Sequence, residues 1–553
     1  MEIGKTGSTC KMIPQPETTF LKRYESIIPV SLFLVFLAFT LPGIAWGPWH
    51  PDEIVVRSIK ALHGEWKFSE YNFNYPDLPQ YAMYFLGKLI LALGYSDDEI
   101  LIASRVLSAV IAGATIPLTY SIVRRAGGTV PLAGLSGLFL LCVSELSFNG
   151  RFAHNDTYTV FFITLSTLFI VNYARTDLRG WLYASFFAVG MAASSKYTGI
   201  GFIPALVLIY ILLQFKNLKK DWFTIGETLF ISGALAFLGF AFGTPKALTW
   251  MAYFFKRVFA ALEWQATWGQ HEGSTRGLTG QFPMAQGMLG SALYFLFIAG
   301  VVWAVYRVIR EFRGGELSRT SQAGFFGLLL IGVFFLDLPV MISYNYQPRY
   351  LLTFMPMLAI LAAYFVLEIY TRVKQFGKPI YSSAIVVVIG AVVLYSFARM
   401  VSIALLFIND ARIPATEFMK TLQPGTSLEH TNYPPNYADG FFEREHNYPL
   451  HIQMGATDTP PTDKPYEFNK AEEGLLERGT DYLIVDSFTA SRFDDSYACD
   501  QLPNECEFFK QLAAGESAHY HLIAEFSYSL PWYLPQVDVA IANPTIRIYE
   551  RVK

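Results

Sequence analysis

The sequence predicts a mainly α membrane protein: a polytopic bundle of about eleven transmembrane helices followed by an extracytoplasmic α/β domain. Three observations predict it. Only 16% of residues are charged, against about 25% in soluble proteins, while 53% are hydrophobic and the mean hydropathy is +0.32. Apolar runs near the length of about 20 residues needed to cross a bilayer recur along the first 407 residues. Beyond residue 408 the texture changes to polar segments rich in Pro, Tyr, Asp and Glu, without a spanning run.

The runs lie near 27–46, 100–123, 130–148, 157–174, 223–243, 286–306, 323–342, 351–370 and 380–403. The stretch 181–214 is too long for one span. It is interrupted by Ser194-Ser195-Lys196-Tyr197-Thr198-Gly199 and reads as two short helices meeting at that break. Residues 1–26 are polar, and the first run ends without a small-residue cleavage site, so no cleavable signal is expected.

Lys and Arg in the loops set the orientation. With residues 1–26 as a cytoplasmic tail, every inner loop is short and basic, from Lys22 and Arg23 through Arg124 and Arg125 to Arg372, Lys374 and Lys378. The outer segments 47–99, 149–156, 244–285 and 343–350 are more aromatic and less basic for their length. This predicts a multi-pass protein of the plasma (inner) membrane, with a transmembrane domain over 27–407, a large first outer loop at 47–99 and an outer domain at 408–553. In that domain Asp481–Asp486 reads as a buried strand and Thr545–Glu550 as a final one, and Pro414–Leu422 and Lys470–Arg478 as amphipathic helices. Of the four cysteines, Cys499 and Cys506 fall here. They are candidates for a disulfide in an oxidising compartment, the alternative being two reduced thiols. A net charge of −3 gives no sign of nucleic-acid binding, and there is no Walker-type glycine loop for a nucleotide.

Ionisable residues gather on the outer side. The first outer loop opens on His50-Pro51-Asp52-Glu53. A carboxylate there can take a proton from an attacking hydroxyl, although Asp after Pro is also a common helix start. Asp156, in the Arg151–Thr157 loop beside His154 and Asn155, opens the fourth span from the same side; it too has the look of a helix cap. Asp52 and Asp156 together are candidates to orient an acceptor or to hold a divalent cation through oxygen, and no other cofactor is called for. Arg105, Lys196 and Arg349 supply positive charge at headgroup depth, where a departing phosphate needs stabilising; phospholipid headgroups attract the same residues. Lys196 stands out because irregular backbone within a membrane must line protein or a cavity. The segment Pro79–Gly94 is apolar but too short to span, and is expected to lie along the interface.

These residues, in this order, resemble the GT-C class of polytopic glycosyltransferases that use lipid-phosphate sugars, above all the protein mannosyltransferase and aminoarabinose transferase group (glycosyltransferase family 39 and relatives). The resemblance rests on His50–Glu53, Asn74-Tyr75-Pro76-Asp77-Leu78-Pro79, Ser104-Arg105, the Arg151–Tyr158 loop, Ser195-Lys196-Tyr197 and Gln347-Pro348-Arg349-Tyr350. It implies a polyprenyl- or dolichyl-phosphate sugar donor, an extracytoplasmic acceptor (protein, lipid or glycan) and inversion at the anomeric carbon. It implies catalytic roles for Asp52, with Glu53 beside it, and for Asp156; the residues themselves add expected phosphate contacts from Lys196, Arg349 and Arg105 and substrate contacts from His50, Tyr75, His154 and Asn155. The aminoarabinose enzymes have a lysine where this chain has Tyr75. The β-trefoil insertion of eukaryotic-type mannosyltransferases and the Trp-Trp-Asp motif of oligosaccharyltransferases are both absent, which suits a prokaryotic member. The competing expectation is a transporter or flippase, in which broken helices and membrane carboxylates also occur, but nearer the bilayer midplane.

Overall fold

A computed structural model describes residues 25–45, 53–68, 73–217, 219–270, 274–315, 318–344, 347–375, 377, 379–438, 440–453, 469–537, 539 and 541–552. His50 and Asp52 lie outside the described residues.

The membrane domain comprises helices α1 (Ile27–Thr40), α2 (Val55–Leu62), α3 (Leu78–Ala92), α4 (Asp97–Arg125), α5 (Val130–Leu141), α6 (Ser144–Gly150), α7 (Asp156–Thr176), α8 (Arg179–Ser195), α9 (Phe202–Leu213), α10 (Trp222–Gly243), α11 (Met251–Thr267), α12 (Leu278–Leu289), α13 (Ser291–Arg313), α14 (Gln322–Met341), α15 (Met355–Gln375) and α16 (Pro379–Ile408). Every apolar run of the sequence becomes helical. Among the described residues seven helices are long and apolar enough to cross a membrane, or eight if α5 and α6, bent by 60° at their junction, form one broken span. The remaining runs give shorter helices: α1, α8 and α9. The expected break near Lys196 accounts for two of these, because Lys196 is extended (φ −152°, ψ 134°) and leads into a 3-10 turn, Tyr197–Gly201.

The bundle core is apolar, and its helices meet through small residues. A Cβ on Gly190 of α8 would lie 2.0 Å from the Ala236 carbonyl oxygen of α10, and one on Gly239 would lie 2.3 Å from that of Phe187. Such contact is the usual basis of helix packing in lipid, where apolar burial between helices gains little. The outward faces stay apolar, as at Phe230, Phe237 and Phe242 of α10 and Val386–Val388 of α16. Helix α3 covers the predicted interfacial segment Pro79–Gly94 and exposes Phe85 and Leu89.

After α16 comes helix α17 (Arg412–Met419), then a five-stranded sheet with order β2-β1-β3-β5-β4. Strands β1 (Ser427–His430), β2 (Arg444–Asn447) and β3 (Tyr482–Asp486) run parallel; β5 (Ile546–Arg551) pairs antiparallel with β3 and with β4 (Tyr520–Phe526). Helices α18 (Ala471–Arg478) and α19 (Pro503–Ala514) pack alongside. The α/β character predicted from the sequence is what forms, and β3 is buried at all five positions. Cys499 and Cys506 form a disulfide.

Candidate active site

The site is built where three chain interruptions meet. Helix α7 begins at Asp156, but no side chain caps it. Instead the Asp156 Oδ1 atom accepts a 2.6 Å hydrogen bond from Lys196 Nζ at the break after α8. Arg349 Nε, from the 3-10 segment Pro348–Phe354 that leads into α15, lies 3.9 Å from Oδ2. The Tyr350 ring sits under both cations, 4.4 Å from Lys196 Nζ and 5.9 Å from Arg349 Cζ. Asp156 is buried, while the Lys196 and Arg349 side chains keep 16% and 17% of their surface exposed. The cations thus reach solvent and the carboxylate behind them does not.

The flanking residues tie this group together. His154 Nδ1 accepts the Asp156 backbone N–H at 3.2 Å, and lies 3.3 Å from Oδ2. Accepting there leaves the ring proton on Nε2 when the imidazole is neutral. Asn155 Nδ2 donates to the Ser195 carbonyl at 3.1 Å, joining the loop before α7 to the residue before Lys196.

Glu53 and Arg105 form a second, adjacent unit. Both are buried, and two hydrogen bonds of 2.7 Å join the guanidinium to the carboxylate. Arg105 also donates to the Ile44 carbonyl at 3.2 Å. Glu53 Oε1 accepts the Ala153 backbone N–H at 2.9 Å, and Ile54 N donates to the Ala153 carbonyl at 3.1 Å. The expectation that Glu53 acts as a catalytic carboxylate and Arg105 as a phosphate ligand is met by a different arrangement: the two charges neutralise each other and clamp the first loop to the Arg151–Asp156 loop.

Tyr75 lies under the Arg57 guanidinium, which is 5.3 Å from its ring and 5.5 Å from that of Trp66. A cation therefore stands beside the position where the resemblance leads one to miss a lysine. Arg57 is one of three residues that the sequence reading overlooked. Asp77 is another. It is 1% exposed, at the start of α3, and accepts from Gln80 Nε2 at 3.3 Å. Burial pushes its carboxyl up to about 7, with Arg57 pulling the other way. The third is Glu145 on α6, buried, accepting from Asn149 Nδ2 at 2.7 Å and within electrostatic reach of Arg349, Arg399 and Asp156. Asp77 and Glu145 could have been found as carboxylates in apolar surroundings; Arg57 carries no such mark.

Among the described residues no cluster of three His, Cys, Asp or Glu side chains could hold a metal ion. The ammonium at 2.6 Å and the guanidinium at 3.9 Å from Asp156 already oppose a metal cation at that carboxylate. Of the pair suggested for a divalent ion, Asp52 is outside the described residues.

The multi-pass helical membrane domain joined to a C-terminal α/β domain is similar in fold to GT-C membrane enzymes. The family model for dolichyl-phosphate-mannose-protein mannosyltransferase matches residues 79–241, from α3 to α10. The fold is similar to that of ArnT from Cupriavidus metallidurans, solved bound to undecaprenyl phosphate (TM-score 0.51, 14% identity, 96% of this chain and 98% of that one). It is also similar to the oligosaccharyltransferase of Archaeoglobus fulgidus, solved tethered to an acceptor peptide (TM-score 0.55, 10% identity, 97% and 89%) and with zinc and sulfate (TM-score 0.56, 13% identity, 95% and 88%). No match is found among curated protein sequences. The resemblance read from the motifs and the one read from the fold thus point to the same class, the GT-C glycosyltransferases of the mannosyltransferase and ArnT type.

Proposed function

We propose that the chain is an integral membrane glycosyltransferase that moves a sugar from a polyprenyl- or dolichyl-phosphate carrier to an extracytoplasmic acceptor, with inversion. The observation that carries this reading is the cation pair Lys196 and Arg349, mostly buried but still reaching the surface, held over one buried carboxylate. With Arg399 and Glu145 counted, three cations face two carboxylates, an excess of one positive charge that suits a phosphate anion. The family match and the GT-C fold support a lipid-linked donor, and an undecaprenyl phosphate accompanies the ArnT structure.

In this reaction the acceptor oxygen (or nitrogen) attacks the anomeric carbon as the bond from that carbon to the phosphate oxygen breaks. The phosphate leaves with the electron pair, towards Lys196 and Arg349. The acceptor proton passes to Asp52 as general base, the role its place in the first loop suggests. Asp156 positions the two cations, and Glu53 with Arg105 positions the loop that bears Asp156. The N-terminal tail is cytoplasmic and the C-terminal domain extracytoplasmic, as the loop charges imply.

The test uses purified protein, a panel of radiolabelled polyprenyl-phosphate sugars and a membrane extract as acceptor. Wild type transfers label. Lys196→Ala and Asp52→Asn, folded as judged by an unchanged elution profile, lose about 100-fold or more, the usual cost of removing a group that stabilises transition-state charge. Unconsumed donor, or variants as active as wild type, would overturn the mechanism, and unchanged donor crossing a liposome bilayer would mark a transporter.

A further inference from the structure

The segment between β4 and β5 does more than connect two strands. Its 527–537 part carries Tyr528-Ser529-Leu530-Pro531-Trp532-Tyr533-Leu534-Pro535, in which Trp532 is 91% and Tyr533 69% exposed. Among the described residues these are the most exposed aromatic rings of the C-terminal domain, and the two pack edge to face at 5.9 Å. Large rings left bare on a water-soluble surface lose the gain that burial would bring.

The same segment is fastened to the membrane domain. The Pro535 carbonyl accepts a 2.8 Å hydrogen bond from Ser402 Oγ of α16. Ser402 lies six residues before the end of that helix, about 9 Å below it at 1.5 Å per residue. Val537, Val539 and Ala542 pack on Ile403 and Phe407 of α16 and on Phe148 and Phe152. Asn543 ties the segment's far end to the short link between α16 and α17, receiving the Ala411 N–H at 3.0 Å and donating to the Tyr528 carbonyl at 2.7 Å. The bare rings are therefore carried at the level of the last turns of a membrane helix. That helix exposes Ile408 at its end, and about two turns deeper than Ser402 it shows an apolar face at Leu394 and Tyr395.

We propose that Trp532 and Tyr533 form an interfacial anchor that seats the C-terminal domain in the headgroup region of the bilayer. Rings with an apolar body and one polar edge are enriched at that depth. The rings stand two and three residues before Pro535, which is bonded to a helix apolar enough to cross a membrane, and this commits the partner to lipid. Through Phe152, whose ring stacks on that of His154 with centroids 6.3 Å apart, the anchored segment also rests on the loop that carries the candidate site. The proposal depends on the chain being a membrane protein and not on its catalysing sugar transfer, so the two can fail separately.

The full-length chain is tested with Cys10→Ser. Cys142 is buried and Cys499 is bonded to Cys506, so an introduced cysteine can be labelled alone. Trp532→Cys, Tyr533→Cys and the water-exposed control Glu516→Cys each receive an environment-sensitive fluorophore in phosphatidylcholine–phosphatidylglycerol nanodiscs. At 532 or 533 we expect blue-shifted emission, quenching by lipids with a shallow nitroxide, and several-fold weaker quenching by iodide than at 516. Iodide quenching equal to that at 516 at both positions, with no effect of nitroxide lipid, would overturn the proposal. A label that lies in water and changes only when donor or acceptor is added would overturn it in favour of a substrate contact.

Discussion

Glu53 carries a carboxylate into a place that is 4% exposed, and Arg105, 2% exposed, meets it with two bonds. Breaking a buried pair leaves one charge uncompensated and costs about 3–5 kcal/mol, more than the pair itself contributes. Glu53→Gln should therefore lower the melting temperature of the detergent-solubilised protein sharply, and adding Arg105→Met should recover part of the loss. If the single variant melts like wild type, the clamp is not what holds the two loops. Asp77 tests a different balance. Its carboxyl is pushed from 3.8 up to about 7 by burial, so the fold favours the protonated form. The folded state then holds a proton that the unfolded chain has lost, and stability falls as pH rises from about 4 to about 7. Asp77→Asn cannot ionise. It should match wild type near pH 4 and exceed it by a growing margin up to pH 8, read as melting temperature against pH. A constant difference across that range would mean that Asp77 is ionised in the fold. Neither role was legible in the sequence, where Glu53 reads as half of an acidic pair and Asp77 as one letter of a motif. Their partners lie 52 residues away for Glu53 and across the first loop for Asp77, and spacing along the chain does not report such packing.

Lys196 reaches Asp156 only because α8 stops where it does, and α8 is located by its crossing with α10. At Gly190 and Gly239 the two backbones come so close that no Cβ fits on either side. Gly190→Ala must push the helices apart, and overpacking of this kind costs about 1–3 kcal/mol. The site should feel it as well, because the same helix ends at Lys196. The expected outcome is a lower melting temperature together with a loss of transfer activity, whereas Gly233→Ala, on α10 with open space around its Cβ, should change neither. Equal behaviour of the two variants would show that the crossing does not position Lys196. Elements with a strong apolar period were the legible ones: the break at Lys196, the start of α7 at Asp156 and the buried strand β3 all follow from where apolar runs begin and end. Strands β1 and β2 were not. Each has four residues, and Ser427–His430 and Arg444–Asn447 are mostly polar, so neither alternation nor β-branching marks them. They form because β3 offers an edge to β1, and β1 in turn to β2.

The whole molecule joins a membrane bundle to a mixed sheet through one short hinge. Asp410 and Arg412 pair there at 2.7 Å, both buried, and Arg412 also donates to the Ile541 carbonyl at 3.0 Å. Which side of the membrane the sheet occupies follows in sequence from loop charge alone, and the fold by itself does not report it. The disulfide does offer a readout. Cys499 and Cys506 close a short loop in the C-terminal domain, and such a bond persists in an oxidising compartment and is reduced in the cytosol. If the domain is extracytoplasmic, intact cells treated with a membrane-impermeant reductant and then an impermeant maleimide should be labelled at these two cysteines. They should not be labelled without the reductant, and Cys499→Ser/Cys506→Ser should abolish the signal. In a Cys10→Ser background, labelling that appears only after permeabilisation, and then without reductant, would put the sheet in the cytosol. It would also invert every loop, moving Lys196 and Arg349 away from the face where a lipid-phosphate sugar has no nucleotide-sugar competitor. The double variant should in addition melt at lower temperature, since opening a loop this short costs about 2–3 kcal/mol through the entropy of the unfolded chain. The membrane bundle has a main core of its own, joined to the C-terminal domain by the small cluster of Phe148, Phe152, Ile403 and Phe407 with Ala542, and should keep its own transition.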